Sequence, residues 1–258
     1  HERLGRLHDA EADYRKAAED GTRRAEAYFN LGCVLQRRQR HAQSIKALEQ
    51  ALAENPDYAE AKTTLRHQYM YACAWSELAQ LETSIDETAT RSGTDERTAE
   101  TPFFSVVRCD DPALNLTIAK SWSQHLERHC RSLFPGIARC QRSRGERLSI
   151  GYLSNDLSDH ATAHLISGLF EVHDKSRFSV HAYSYGRDDG SHYRRKIADA
   201  CDAFVDISAL DHARAAQKIH ADGIDILIDL KGWTQGNRLA ICAHRPAPIQ
   251  VTYLGFPG

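Results

Sequence analysis

Residues 211–230 read DHARAAQKIHADGIDILIDL, and the period of the sequence changes inside them. Residues 211–221 have the pattern of a helix, Gly223 interrupts it, and IDILIDL (224–230) is an apolar run of strand length. The alternation continues in both directions. Upstream lie LSIGYL (148–153), FSVHAYSY (178–185) and AFVDI (203–207), and downstream lies IQVTYL (249–254). Further helices are expected over 162–172, 192–200 and 238–243. Strands alternating with helices of this length form βαβ units and hence a parallel sheet. Strands that are apolar on both faces need helices on both sides, with right-handed crossovers. The fold class expected for 148–258 is α/β, a Rossmann-like lobe of five parallel strands.

Such a sheet binds ligands beyond the carboxyl ends of its strands, where the strand order reverses. The first and fourth strands are expected to be neighbours there, so their loops face one crevice. The loop after the first strand is NDLSDHATAH (155–164), that after the fourth is KGWTQGNR (231–238), and that after the fifth is GFPG (255–258). No G-x-G-x-x-G follows the first strand and no P-loop lysine motif is present, which removes the dehydrogenase and P-loop readings. His160 and His164 are four apart, on one face of a helix beginning near 161. Without an H-E-x-x-H pattern or further ligands, no metal is expected. His164 is expected inside the helix as a buried or capping residue. His160, in the loop at the helix start, is the candidate for function.

The N-terminal part repeats itself. In 25–58, Tyr28, Leu31, Gly32 and Leu35 are followed by Ile45, Leu48, Ala51 and Leu52, and Pro56 closes the unit. A shift of 34 places Ala10 on Ser44, Tyr14 on Leu48, Leu31 on Leu65 and Leu35 on Tyr69. That period is the tetratricopeptide signature, an α-solenoid of helix pairs in which Gly32 permits close approach. Repeats need neighbours, so the array is expected to continue upstream of His1. The expected domains are helical repeats over 1–92, a connector over 93–147 and the α/β lobe over 148–258. Residues 62–90 read as helical, and 83–101 as a helix end running into a polar loop. Pro102 and Pro112 bracket the apolar Phe103–Val107, and a helix is expected over 113–133.

Composition narrows the setting. The 258 residues carry a formal net charge of -2, which offers no basic footprint for nucleic acid. No apolar run is long enough to span a bilayer. The seven cysteines are scattered, with no C-x-x-C pair, as in a reducing, cytoplasmic compartment. The excess of Arg over Lys and the abundance of Ala fit a bacterial, GC-rich coding bias.

Residues 148–258 resemble the N-terminal catalytic lobe of the O-linked N-acetylglucosaminyltransferase family, in which tetratricopeptide repeats precede a GT-B transferase. The residues that carry the resemblance are GYLSNDLSDHATAHL (151–165), IHADGIDILIDLKGWTQGNR (219–238) and RPAPIQVTYLGFPG (245–258). It implies inverting, metal-independent transfer of a sugar from a UDP-sugar to protein Ser or Thr hydroxyls, with no cofactor. The family motif N-H-P-T-S-H falls on 159–164, which makes His160 the catalytic residue and brings Asp159 and Thr162 to the substrate. Asp159, Ala161 and Ala163 depart from that motif. The family's L-G pair falls on Leu254 and Gly255, followed by Pro257, and a family Arg falls on Arg238. Gly255 is expected where a Cβ would intrude on the ligand or forbid the backbone angle. The implied partners are a nucleotide-sugar donor, a protein acceptor along the repeats, and a second catalytic lobe beyond Gly258 that holds the diphosphate. Two other readings remain: a protein O-fucosyltransferase using GDP-fucose, and an inactive repeat-based adaptor.

Overall fold

The computed structural model describes residues 6–21, 23–91, 98–133 and 147–256. They form two compact units, His1–Glu100 and Thr101–Gly258.

The first unit is a row of helices, each packed on the next: α1 (Leu7–Glu19), α2 (Arg24–Arg37), α3 (His41–Glu54), α4 (Ala59–Ala72) and α5 (Trp75–Arg91). Gly32 on α2 is where two helices meet, because a Cβ there would lie 2.7 Å from Leu48 Cγ on α3. The hydroxyl of Ser44 donates to the Gly32 carbonyl at 2.8 Å across the same contact. The turns repeat as well. Gln39 and Cys73, one 34-residue period apart, both sit in the left-handed region. Arg40 N–H donates to Leu35 O, and Ala74 N–H to Tyr69 O, closing the same C-terminal turn twice. The helical stretch expected over 62–90 is therefore two helices, broken at Cys73. Glu11, 2% exposed, is ringed by Arg15, Arg38 and Arg40. Burial pushes its carboxyl up, but the three guanidiniums outweigh that and hold it below the usual range.

The second unit opens with two helices, α6 (Pro102–Arg108) and α7 (Pro112–Leu133). Residues 103–107, which read only as an apolar segment, are helical. Pro102 stands at the first position and the Thr101 hydroxyl accepts from Phe104 N–H at 3.3 Å. The α/β portion runs β1 (Leu148–Ser154), α8 (Ala161–Val172), β2 (Phe178–Ser184), α9 (His192–Ala200), β3 (Ala203–Asp206), α10 (His212–Ala221), β4 (Ile226–Asp229), α11 (Leu239–Ala243) and β5 (Ile249–Thr252). All pairings are parallel and the order is β3-β2-β1-β4-β5, so β1 and β4 are neighbours where the order reverses. The strand β1 is buried on both faces over most of its length. Ile150 and Tyr152 pack with Ile166 and Phe170 of α8 and Ile197 of α9 on one face. Leu153 joins Ala215 and Ile219 of α10 and Ile241 of α11 on the other. The long α7 belongs to this unit. Its Trp122 meets Trp233 edge-on at 5.8 Å, and its Cys130 thiol reaches Ala240 O of α11 at 3.5 Å.

Candidate active site

The loop after β1 builds the first part of the site. Asp156 N–H donates to the Ser154 hydroxyl at 2.9 Å, which turns the chain sharply off the strand. His160 then caps α8, with its Nδ1 accepting from Thr162 N–H at 3.2 Å. A neutral imidazole that accepts at Nδ1 carries its proton on Nε2, so the outer nitrogen of this ring is a donor. Asp156 Oδ2 lies 3.7 Å from the same Nδ1, too far for a hydrogen bond. The Asp156 carboxylate is instead gripped by Lys231 Nζ at 2.8 and 3.1 Å. Both side chains of that pair are only 10% exposed. Asp156 follows β1 and Lys231 follows β4, so the ion pair ties the loops of two adjacent strands together.

The loops after β4 and β5 are joined by backbone. Trp233 N–H donates to Phe256 O at 2.7 Å, and Gly232 pairs with Phe256 as a parallel bridge. Neither glycine tolerates a side chain. A Cβ on Gly232 (φ +56°) would lie 1.9 Å from Phe256 O, and one on Gly255 would lie 2.3 Å from the Lys231 carbonyl carbon. Gly255 is thus a glycine because backbone meets backbone there. Leu254, just before it, is 44% exposed and held at φ +63°. The residues His160, Asp156, Lys231 and Gly255 consequently form one continuous contact path across the carboxyl edge of three strands.

Asp229, the last residue of β4, is 4% exposed. Burial pushes its carboxyl up to about 6, against the opposing pull of Gly232 N–H, Lys231 N–H and the Lys231 charge. Its Oδ2 accepts from Gly232 N–H at 2.6 Å and its Oδ1 has no partner. It lines a cleft of about 310 Å³ together with Trp233, Leu126, Gln250 and Thr252. Among the described residues no group of three or more His, Cys, Asp or Glu is placed to hold a metal ion.

The other expected site residues fall as follows. Asp159 is exposed, donates its N–H to Asp189 Oδ2 at 2.8 Å, and accepts from or pairs with His164 Nε2 at 2.7 Å. The Asp159 and Ser191 N–H groups hold the Asp189 carboxyl down to about 2. His164 is therefore neither buried nor the cap. It is about half exposed, paired with Asp159 and packed against Tyr193 at 4.2 Å between ring centroids, while the capping histidine is His160. Thr162 is half-buried and contributes the N–H that the cap engages. Arg238 stands apart from this path. Its guanidinium donates to Ile207 O at 3.0 Å and Leu210 O at 2.7 Å, and lies over the Tyr185 ring. Those are the bonds of a clamp on the loop between β3 and α10. Pro257 lies outside the described residues. Asp156, Lys231 and Asp229 were not singled out from the sequence, although the first two stand in the loops that were.

An α/β lobe with polar loops gathered at its switch point, in one chain with stacked helix pairs, defines a repeat-bearing protein with a parallel-sheet ligand lobe. Residues 134–258 match the family model of glycosyl transferase family 41, and residues 25–58 match the tetratricopeptide repeat. Over 114 residues the chain is 46% identical to a UDP-N-acetylglucosamine--peptide N-acetylglucosaminyltransferase of Caenorhabditis elegans, covering 44% of this chain and 10% of that protein. Over 203 residues it is 32% identical to the probable UDP-N-acetylglucosamine--peptide N-acetylglucosaminyltransferase SEC of Arabidopsis thaliana, covering 75% of this chain and 21% of that one. The fold is also that of a variant of the O-GlcNAc transferase from Thermobaculum terrenum, with a TM-score of 0.68 at 24% identity over 99% of this chain and 48% of the other. The chain belongs to glycosyl transferase family 41, the O-GlcNAc transferase family, and carries tetratricopeptide repeats ahead of its transferase lobe. It spans between a tenth and about a fifth of the length of the two curated relatives above. Among the described residues no helix is long and apolar enough to cross a membrane.

Proposed function

We propose that the protein to which this chain belongs transfers N-acetylglucosamine from UDP-N-acetylglucosamine to Ser or Thr hydroxyls of other proteins. The observation that carries this reading is the family 41 match over 134–258 in one chain with a tetratricopeptide repeat. The named activity of the Caenorhabditis elegans and Arabidopsis relatives supplies the substrate classes. The transfer is inverting and needs no metal, the protein acceptor runs along the repeats, and a second lobe holds the UDP.

In this reading the acceptor hydroxyl meets the sugar in front of the loops after β1 and β5. His160 and Thr162 stand at the start of α8, and Leu254 and Gly255 close the other side. Asp159 borders the acceptor, and Arg238 serves the site by fixing the neighbouring loop. A Ser or Thr hydroxyl is a weak nucleophile and gains from a positioned histidine that orients it or takes its proton. His160→Ala in the complete protein is expected to lower transfer by about 10²-fold or more. UDP affinity should change little, and stability should fall only by the loss of one helix cap, about 0.5–2 kcal/mol, because a loop residue leaves no core cavity. The assay follows sugar transfer from UDP-N-acetylglucosamine, with GDP-fucose as the competing substrate. Transfer at the wild-type rate by the alanine variant removes His160 from the site, and preference for GDP-fucose overturns the sugar assignment.

A further inference from the structure

We infer that Asp156 is the positioning residue of the His160 ring, held in place for that task by Lys231; this rests on the reading of His160 as the group that serves the acceptor hydroxyl. Two partners converge on a single nitrogen. His160 Nδ1 is 3.2 Å from Thr162 N and 3.7 Å from Asp156 Oδ2. It can accept from the Thr162 N–H, or it can carry a proton and donate to Asp156, but it cannot do both. The first arrangement leaves the proton on Nε2, where the ring can only donate outward. The second puts the proton on Nδ1 and frees the Nε2 lone pair to accept a proton from a hydroxyl. A shift of less than an ångström in the ring separates them, since hydrogen bonds of this type close at about 2.7–2.9 Å.

Asp156 is built to serve as that second partner. Its backbone is fixed by the Ser154 hydroxyl, and the side chain is held through both oxygens by Lys231. Each carboxylate oxygen has a second lone pair, so Oδ2 can receive the imidazole N–H without releasing the ammonium. Lys231 keeps the carboxylate aimed, since its ammonium bonds both oxygens where the two side chains are only 10% exposed. His160, about half exposed, has room to move, whereas Asp156 has none. When the ring turns to Asp156, the Thr162 N–H loses its acceptor, and the oxygen of a bound substrate at the start of α8 can replace it.

The test reads the tautomer directly. With ¹⁵N-labelled histidine, the ring nitrogen shifts of His160 are recorded at pH 8 in this chain and assigned by the His160→Ala variant. The Nδ1–H form should be measurable in the wild type. It should fall in Asp156→Asn, which leaves only the cap, and fall also in Lys231→Met, which leaves the Asp156 carboxylate without the group that holds and aims it. Lys231→Arg, which keeps the charge, should return the wild-type balance and serves in place of the methionine variant if that one does not fold. The same tautomer balance in every folded variant overturns the proposal. In the complete protein, Asp156→Asn should lower kcat by about 10²-fold, the cost of a misdirected catalytic group, with KM for the nucleotide sugar nearly unchanged. Asp156→Glu should recover part of that loss. Full transfer by Asp156→Asn beside a dead His160→Ala also overturns it. Full transfer by His160→Ala removes the role of His160 instead, and leaves the placing of Asp156 to be judged by the tautomer data alone.

Discussion

Replacing Asp229 by Asn should make the second unit more stable at neutral pH and remove one part of its pH dependence. An unperturbed aspartate titrates near 3.9, whereas burial pushes Asp229 up to about 6. A carboxyl raised in the folded state contributes stability that is fully present below its unfolded value and is lost as pH rises through its folded value. Between those two points, at 1.36 kcal/mol per pH unit, the loss amounts to about 3 kcal/mol. Asn keeps an acceptor for the Gly232 N–H that Asp229 Oδ2 binds at 2.6 Å, and it carries no charge to be buried. The variant and wild type should therefore be equally stable below about pH 4. The variant should gain steadily above that and stand about 3 kcal/mol higher beyond pH 6–7. Urea unfolding from pH 4 to 8 measures this through the fluorescence of Trp122 and Trp233, which meet at 5.8 Å in this unit. A Trp75→Phe background silences the tryptophan of the first unit, at an exposed site where substitution costs little. A stability difference that does not change with pH, or a variant weaker than wild type at pH 8, would refute the reasoning.

Gly32→Leu should destabilise the repeats by about 1–3 kcal/mol through overpacking against Leu48, and an unchanged melting temperature of the first unit would count against the close helix contact. Arg238→Met should leave the carbonyls of Ile207 and Leu210 without their donor and cost about 1–3 kcal/mol in the second unit, seen as a lowered urea midpoint; a loss of sugar transfer with no loss of stability would make the arginine a substrate contact after all. Gly255→Val should separate the loops after β4 and β5, because its Cβ would stand 2.3 Å from the Lys231 backbone, and faster hydrogen exchange at the Trp233 amide would report it.

The fold was legible because each signal was carried by many residues at once. The five strands stood out as apolar runs of β1–β5 length, and helices of the right length separated them, so the element order followed from local pattern. The neighbourhood of β1 and β4 followed from the general topology of open parallel sheets. Residues 103–107 were missed because their helix depends on two local devices, the Thr101 cap and Pro102 at the first position, and is too short to show a period. The site was legible only down to its loops. Asp156 and Lys231 are 75 residues apart, and nothing in the sequence announces that their side chains meet. Arg238 shows the reverse difficulty. A guanidinium in a polar loop reads as free for a ligand, and only the folded structure shows that two carbonyls already occupy it. The assignment of His164 went astray for a similar reason, since its partner Asp159 lies on the loop side of the helix start, five residues back.

The three departures from the family motif around His160 find local explanations in the same geometry. Ala163 is fully buried and packs in the core between α8 and the sheet, so its side chain serves the fold and a small residue fits. Ala161 occupies the first helical position, where a proline would fix the backbone in advance. Here the entry to α8 is held instead by the His160 ring on Thr162 N–H and by the Asp159 N–H on Asp189. Asp159 brings a charge that His164 meets at 2.7 Å on the adjacent turn. None of the three changes displaces His160 from the helix start or Thr162 from its cap. The contacts at these three positions bear on what holds the loop that carries His160. Exchanging Asp159 for the family's Asn should accordingly weaken the hold on His164 before it alters anything at His160.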